Sequence, residues 1–278
     1  MKNRTVGAGA TVAIVLAVGL TSAVEAQRGA APQRGAAPAR PPAPQAAAGY
    51  NGPRTPDRKP DLNGIWQAVT TAHWNLEAHS ASEGVPAGMS VVDGGAIPYQ
   101  PAALAQRNEN FKNRMTADPL RKCYLPGVPR ATYLPFPFEI TQTPGHIGIA
   151  YEFAHGFRTI FMDATPHLED LDFWMGDARG RWEGDTLVID TVSLGDKTWF
   201  DQAGNFHSDA LKVVERFTPT DATHINYEAT MDDAKVFTRP WKINLILYRR
   251  MEKNLELLDY ECAEHVYEKL FKQSAGKP

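Results

Sequence analysis

No Gly-x-Gly-x-x-Gly fingerprint, no Gly-x-x-x-x-Gly-Lys-Ser/Thr loop and no Gly-x-Ser-x-Gly elbow occurs in the 278 residues. Such patterns put backbone N–H groups or a strained nucleophile where a nucleotide or an acyl group needs them. Their absence argues against NAD, ATP and serine-hydrolase chemistry and predicts no bound cofactor. Metal-ligand spacing is also missing, with no His-x-His, His-x-x-x-His or His-Glu-x-x-His. His155, His167 and His207 with Glu152, Asp163 or Asp201 could in principle form a centre, but scattered ligands of this kind predict no metal site. Basic residues do not dominate: 29 Lys and Arg face 32 Asp and Glu, for a net charge of −3. Nucleic-acid binding needs many phosphate-neutralising cations and is not expected. Cysteine is scarce, with only Cys123 and Cys262. In an oxidising compartment the pair predicts a disulfide, with two buried thiols as the alternative.

Long apolar runs are scarce as well. The main one, residues 6–20, follows a basic start and precedes Ala-Val-Glu-Ala26. It is shorter than the roughly 20 residues of a membrane span. A basic start, a short apolar core and a small-residue site predict a signal peptide over residues 1–26, with a retained anchor as the alternative. The protein is then periplasmic or secreted, without stable membrane insertion. Residues 27–60 are rich in Ala, Pro, Arg, Gln and Gly and hold few large apolar side chains. They are expected to be a disordered linker. Residues 61–278 suit one domain with one core.

What this domain does contain is alternation. Runs at 62–69, 138–143, 147–154, 157–163, 182–190, 211–217, 224–231, 241–248 and 255–261 read as strands. His155-Gly156 reads as a two-residue hairpin turn, and Glu183-Gly184-Asp185 as another turn. Residues 101–115 form the one sizeable helical pattern, with Pro101 in the first turn and Leu104, Phe111 and Met115 on one face. A short helix is expected over 263–271. Many antiparallel strands and little helix predict an all-β, mainly antiparallel barrel, with the Pro-rich segment 119–137 across one end. A barrel of about eight strands can hold one small ligand.

Asn63-Gly64-Ile65-Trp66 resembles the Gly-x-Trp opening of lipocalin-like barrels, which implies that Trp66 closes the barrel floor. More broadly, Gly180-Arg-Trp-Glu-Gly-Asp-Thr-Leu-Val-Ile-Asp190, Lys197-Thr-Trp, His207-Ser-Asp and Val214-Glu-Arg-Phe217 resemble a family of secreted bacterial proteins. That resemblance implies export and the barrel fold, and it carries no activity.

The chemistry-bearing segment is residues 197–209, Lys-Thr-Trp-Phe-Asp-Gln-Ala-Gly-Asn-Phe-His-Ser-Asp. Strand connections usually run about four to six residues, and longer ones tend to be functional or disordered. The aromatic content argues for packing. His207 is the candidate general acid or base, oriented by Asp209 or Asp201, with Lys197 at the same mouth. Glu215 lies on the apolar face with Leu211, Val213 and Phe217. It is either a second proton-transfer group with a raised pKa or the partner of a barrel-crossing arginine such as Arg158 or Arg249. Trp199 and Phe206 offer ring faces to a ligand. With a two-residue turn, Glu152 pairs with Thr159 and Gly148 with Asp163, so Glu152, Thr159 and Asp163 share a face that lines a cavity or points to solvent. Two functions follow. One is a cofactor-independent acid/base enzyme (lyase, isomerase or hydrolase) acting on a small, partly apolar or aromatic molecule. The other is a periplasmic binding or carrier protein using the cavity without chemistry.

Overall fold

The computed structural model describes residues 49–262. Alternation yields nine strands, most of them burying every second side chain, while β5 and β6 bury consecutive residues. They are β1 (Gly64–Ala68), β2 (Phe138–Gln142), β3 (His146–Tyr151), β4 (Phe157–Phe161), β5 (Asp177–Glu183), β6 (Thr186–Val192), β7 (Lys212–Pro219), β8 (His224–Asp232) and β9 (Trp241–Arg249). They close in sequence order into one barrel, β9 pairing with β1. Every pairing is antiparallel except β4 with β5, which run parallel over Ile160↔Ala178 and Phe161↔Arg179. The expected mainly antiparallel barrel is therefore observed, with one parallel seam. The seam forms because residues 162–176 carry the chain back to the end where β4 began.

One end of the barrel, the floor, is built around Trp66. Its ring is buried, its Nε1–H donates to the Leu62 carbonyl at 2.8 Å, and the Arg249 guanidinium lies 4.4 Å from the ring centroid. Arg249 also donates to the carbonyls of Asp61, Asn63 and Ala222, tying β9 to β1 and to the β7–β8 turn. Gly64 makes this possible. It sits at φ +117°, and a Cβ there would come within 2.9 Å of Arg249 Nη1. Only glycine meets both conditions at little cost.

The linker expected over 27–60 reaches the floor in its last part. Tyr50 and Pro60 are buried, and Arg54 pairs with Asp185 at 2.7 Å, so residues 49–60 are tethered at these points, in part by an ion pair that composition does not reveal. Residues 1–26, most of that linker and the helix expected over 263–271 lie outside the described residues. No described helix is long and apolar enough to cross a membrane.

The opposite end is capped by the chain's own long segments. Residues 118–137 cross it as expected, with two 3-10 turns at Pro119–Lys122 and Arg130–Tyr133. Arg130 and Asp118 form a buried two-pronged ion pair at 2.9 and 2.8 Å, and the Tyr133 hydroxyl donates to the Phe200 carbonyl at 2.8 Å. Residues 251–262 form no strand; a single bridge, Phe153↔Tyr260, remains. The run expected over 255–261 fails because β9 already pairs with β1, which leaves no edge to extend. Cys123 and Cys262 form the disulfide, with Cα atoms 5.2 Å apart.

The helix α1 (Pro101–Ala117) forms where expected, but it packs by a different face. Leu104, Phe111 and Met115 are 45%, 40% and 58% exposed. The covered positions are Ala103, Arg107, Asn110, Arg114 and Ala117, at alternating spacings of four and three. The small and polar face wins because α1 lies on the cap, where backbone carbonyls of the 199–206 turn need donors. Asn110 Nδ2 supplies one to Gly204 at 3.2 Å.

Candidate functional site

Residues 193–211 link β6 to β7 across the capped end. Asp201 sits at the centre of this loop and is completely buried. Its carboxylate accepts from the Leu76 N–H at 2.9 Å, the Asn205 N–H at 3.2 Å and Asn205 Nδ2 at 2.6 Å. Burial pushes its pKa up to about 6, against these donors and the nearby Arg130. Asp201 therefore fixes the loop and does not orient His207.

His207 is buried, not solvated as the mouth position had implied. Its Nδ1 lies 2.9 Å from the Ser208 carbonyl, which can only accept, so Nδ1 carries the proton. Nε2 then accepts from the Thr198 hydroxyl at 2.7 Å. Burial lowers the His207 pKa, with Asp233 and Asp196 as the carboxylates that oppose this. Asp209 is not among them: it is exposed and pairs with Lys235 at 2.6 Å, because β7 begins just beyond it and turns it outward. Lys197 is exposed and lines a small cavity of about 120 Å³ with Trp174, Asp196 and Thr198. Trp199 and Phe206 face each other across a β-bridge, and Phe206 stacks on Tyr99 at 6.1 Å. Phe206 thus spends its ring on the fold.

Glu215 points into the barrel and is fully buried. Arg158 from β4 grips it at 2.7 and 3.3 Å, and the Tyr227 hydroxyl donates to it at 2.8 Å. Arg158 also donates to Thr191 at 3.0 Å. The barrel-crossing ion pair is the alternative that the structure realises, and His207 lies outside this network.

The expected shared face of Glu152, Thr159 and Asp163 does not form, because the register differs, although Glu152 borders an outer cavity of about 300 Å³. The turn after β3 is longer than two residues, because Ala154 and His155 both take positive φ and the Tyr151 N–H bonds the Gly156 carbonyl. Gly148 therefore pairs with Thr159, and Ala150 with Phe157. The face of small residues is the outer one: Thr159 and Asp163 are exposed. Asp163 accepts from Thr165 in a local turn. Glu152 is buried, but by the returning chain, whose Leu258 N–H it accepts at 2.8 Å.

The barrel interior is packed with side chains, and the sizeable cavities lie outside it. One, about 650 Å³, is a groove on the outer wall of β7, β8 and β9, flanked by Thr218, Asn226, Asn244 and Tyr248. A second, about 340 Å³, lies where residues 74–85, α1 and the tip of the 193–211 loop meet. Trp74, His79, Arg107, Phe111, Arg114 and Gln202 line it. Gly204, at φ +83°, lets the loop tip approach α1: a Cβ there would lie 2.8 Å from the Phe111 nitrogen. Both arginines lie over the Phe111 ring, at 5.4 and 4.1 Å from its centroid. Arg107 is anchored at 3.2 Å on Asn205, which Asp201 positions. The loop thus borders a cleft, but through Gln202 and Ala203 and not through its acid/base groups. Arg107, Phe111 and Arg114 were missed in the sequence. Their spacing of four and three, one helix face, was the available signal.

Among the described residues no group of three His, Cys, Asp or Glu side chains could hold a metal ion. No protein-family model matches the chain, and no curated protein is significantly similar to it.

Proposed function

We propose that the protein binds a small molecule with a flat apolar part in the cleft of Trp74, Phe111 and Gln202, without transforming it. The observation that carries this reading is the cleft itself, about 340 Å³ with two aromatic side chains and several polar groups. Clefts of about 300–1,000 Å³ are what small ligands occupy. The engagement of both His207 nitrogens and the ion pairing of Glu215 support binding over acid/base catalysis. The disulfide and the N-terminal signal pattern support a periplasmic or secreted site of action. Gly64 and Trp66 at the floor support a relationship to lipocalin-like barrels.

The test is a panel of small aromatic and aliphatic compounds followed by thermal shift and calorimetry. Aromatic members should raise the melting temperature, and Trp74→Ala should weaken their binding about 10-fold or more, given the area a buried ring contributes. A panel with no binder would overturn the reading, and so would a binder consumed during the titration.

One contact favours the catalytic alternative. The Thr198 hydroxyl donates to His207 Nε2 at 2.7 Å, and Thr198 lines the small cavity beside Lys197. A hydroxyl held by an imidazole is the nucleophile–base arrangement of acyl transfer. A hydrolase of this kind would turn over small activated esters and lose at least about 100-fold in rate in Thr198→Val. Equal background hydrolysis by both proteins excludes it.

A further inference from the structure

Resting on the binding reading above, we infer that the cleft selects anions: a carboxylate or phosphate carried on a flat, aromatic body. The charged groups that face it are unequal. Arg107 and Arg114 line it, and the carboxylate that opposes them is Glu77, beside Arg107. Glu77 is largely occupied, since its Oε1 accepts the Ile97 N–H at 2.9 Å and its Oε2 lies 3.8 Å from Arg107. Among the described residues no carboxylate lies within ion-pair distance of Arg114. Its one protein hydrogen bond, Nη1 to the Phe111 carbonyl of its own helix turn at 2.8 Å, leaves most of its donors free. Lys112 and Glu109, the other charges nearby on α1, pair with each other at 3.1 Å and cancel.

Geometry points the same way. Phe111 lies under both guanidinium groups, which fixes two planar, fork-shaped donors at one rim of the cleft. Such forks match the oxygen geometry of carboxylates and phosphates, and stacking on an aromatic ring partly desolvates them, which strengthens the contact. Trp74 supplies the flat apolar surface for the body of the ligand. A neutral aromatic molecule would fill the volume but leave Arg114 without an acceptor.

The experiment compares benzoate, phenyl phosphate and benzamide by isothermal titration calorimetry on the intact protein. Benzamide has the shape of benzoate without the charge. A hydrogen bond to a charged group is worth roughly 1.5–3 kcal/mol, so benzoate should bind about 10- to 100-fold more tightly than benzamide. Arg114→Gln should remove that preference. Its hydrogen bond and ring contact are both to Phe111 of its own helix, so the melting temperature should change little, and Arg114→Lys should restore only part of the preference. Phenyl phosphate binding more tightly than benzoate would assign a phosphate ester, and the reverse order a carboxylate. Equal binding of benzoate and benzamide, or full anion preference in Arg114→Gln, overturns the proposal while the binding reading survives. Binding of none of the three overturns the anion site; if the wider panel is also silent, the binding reading falls with it.

Discussion

Burial moves two side chains of the cap in opposite directions across one pH window. His73 is buried, with its Nδ1 lacking a partner, and burial together with Arg130 lowers its pKa from 6.5 to about 4. Between those values the unfolded chain holds a proton that the folded state does not. The His73 contribution is therefore complete above about 6.5 and is lost as pH falls to about 4, an effect on the order of 3 kcal/mol at 1.36 kcal/mol per pKa unit. Asp201 runs the other way. Its folded pKa of about 6 lies above the ordinary 3.8, so the folded state holds the proton in that interval and stability falls as pH rises through it. The two slopes oppose each other between about pH 4 and 6. His73→Phe keeps the ring volume and removes one titration. Urea unfolding at pH 7 and pH 4 should show the variant losing less stability on acidification than the parent, by roughly 3 kcal/mol. Parallel pH profiles would mean that His73 is not held neutral.

At the scale of elements, one buried network ties five strands together. Arg158 on β4 and Glu215 on β7 meet inside the barrel, with Tyr227 from β8, Thr191 from β6 and Tyr151 from β3 as hydrogen-bonding neighbours. Removing one member of a buried pair leaves an uncompensated charge and costs about 3–5 kcal/mol, whereas replacing both by apolar groups is often close to neutral. Glu215→Leu should therefore be strongly destabilising. Arg158→Met with Glu215→Leu should recover most of the loss, short of the acceptor that Tyr227 forfeits. A denaturation cycle over the four proteins decides it: if the double variant is as unstable as the sum of the singles, the pair is not acting as a unit. Period-two alternation already placed Glu215 on the apolar face and left Arg158 open as its partner. It could not say which face of β3 and β4 was inside, because both faces carry rings and small residues. The β3–β4 register was misread for a local reason: His155-Gly156 looks like a complete turn, yet Ala154 and His155 both adopt positive φ and lengthen it. In α1 the apolar spacing was real but was not the packing signal, since a helix lying on loops meets carbonyls that call for polar donors.

On the scale of the whole molecule, strands and closure were legible because alternation is local, and the cleft was not because its walls are distant in sequence. Trp74, Arg107 and Gln202 belong to three separate segments, and only the folding of the cap brings them together. The one long-range tie legible in the sequence was the cysteine pair, because only one pairing was available. Cys123 and Cys262 are separated by 139 residues and close a loop that contains β2 to β9. On chain-entropy grounds a loop of that length restricts the unfolded chain by about 5 kcal/mol. The barrel itself does not depend on the bridge. β9 pairs with β1 through Trp66↔Arg249, Gln67↔Tyr248 and Ala68↔Leu247, and Arg249 clamps the floor independently. Reduction, or Cys123→Ala with Cys262→Ala, should therefore lower the unfolding free energy by up to about 5 kcal/mol and leave the far-ultraviolet spectrum of the folded state unchanged. Unfolding the oxidised and reduced forms in urea separates the two effects. An unchanged midpoint on reduction would show that the unfolded chain is already compact where the bridge would constrain it. Loss of the β spectrum before any denaturant is added would show that the bridge, and not the β9–β1 pairing, holds the barrel closed.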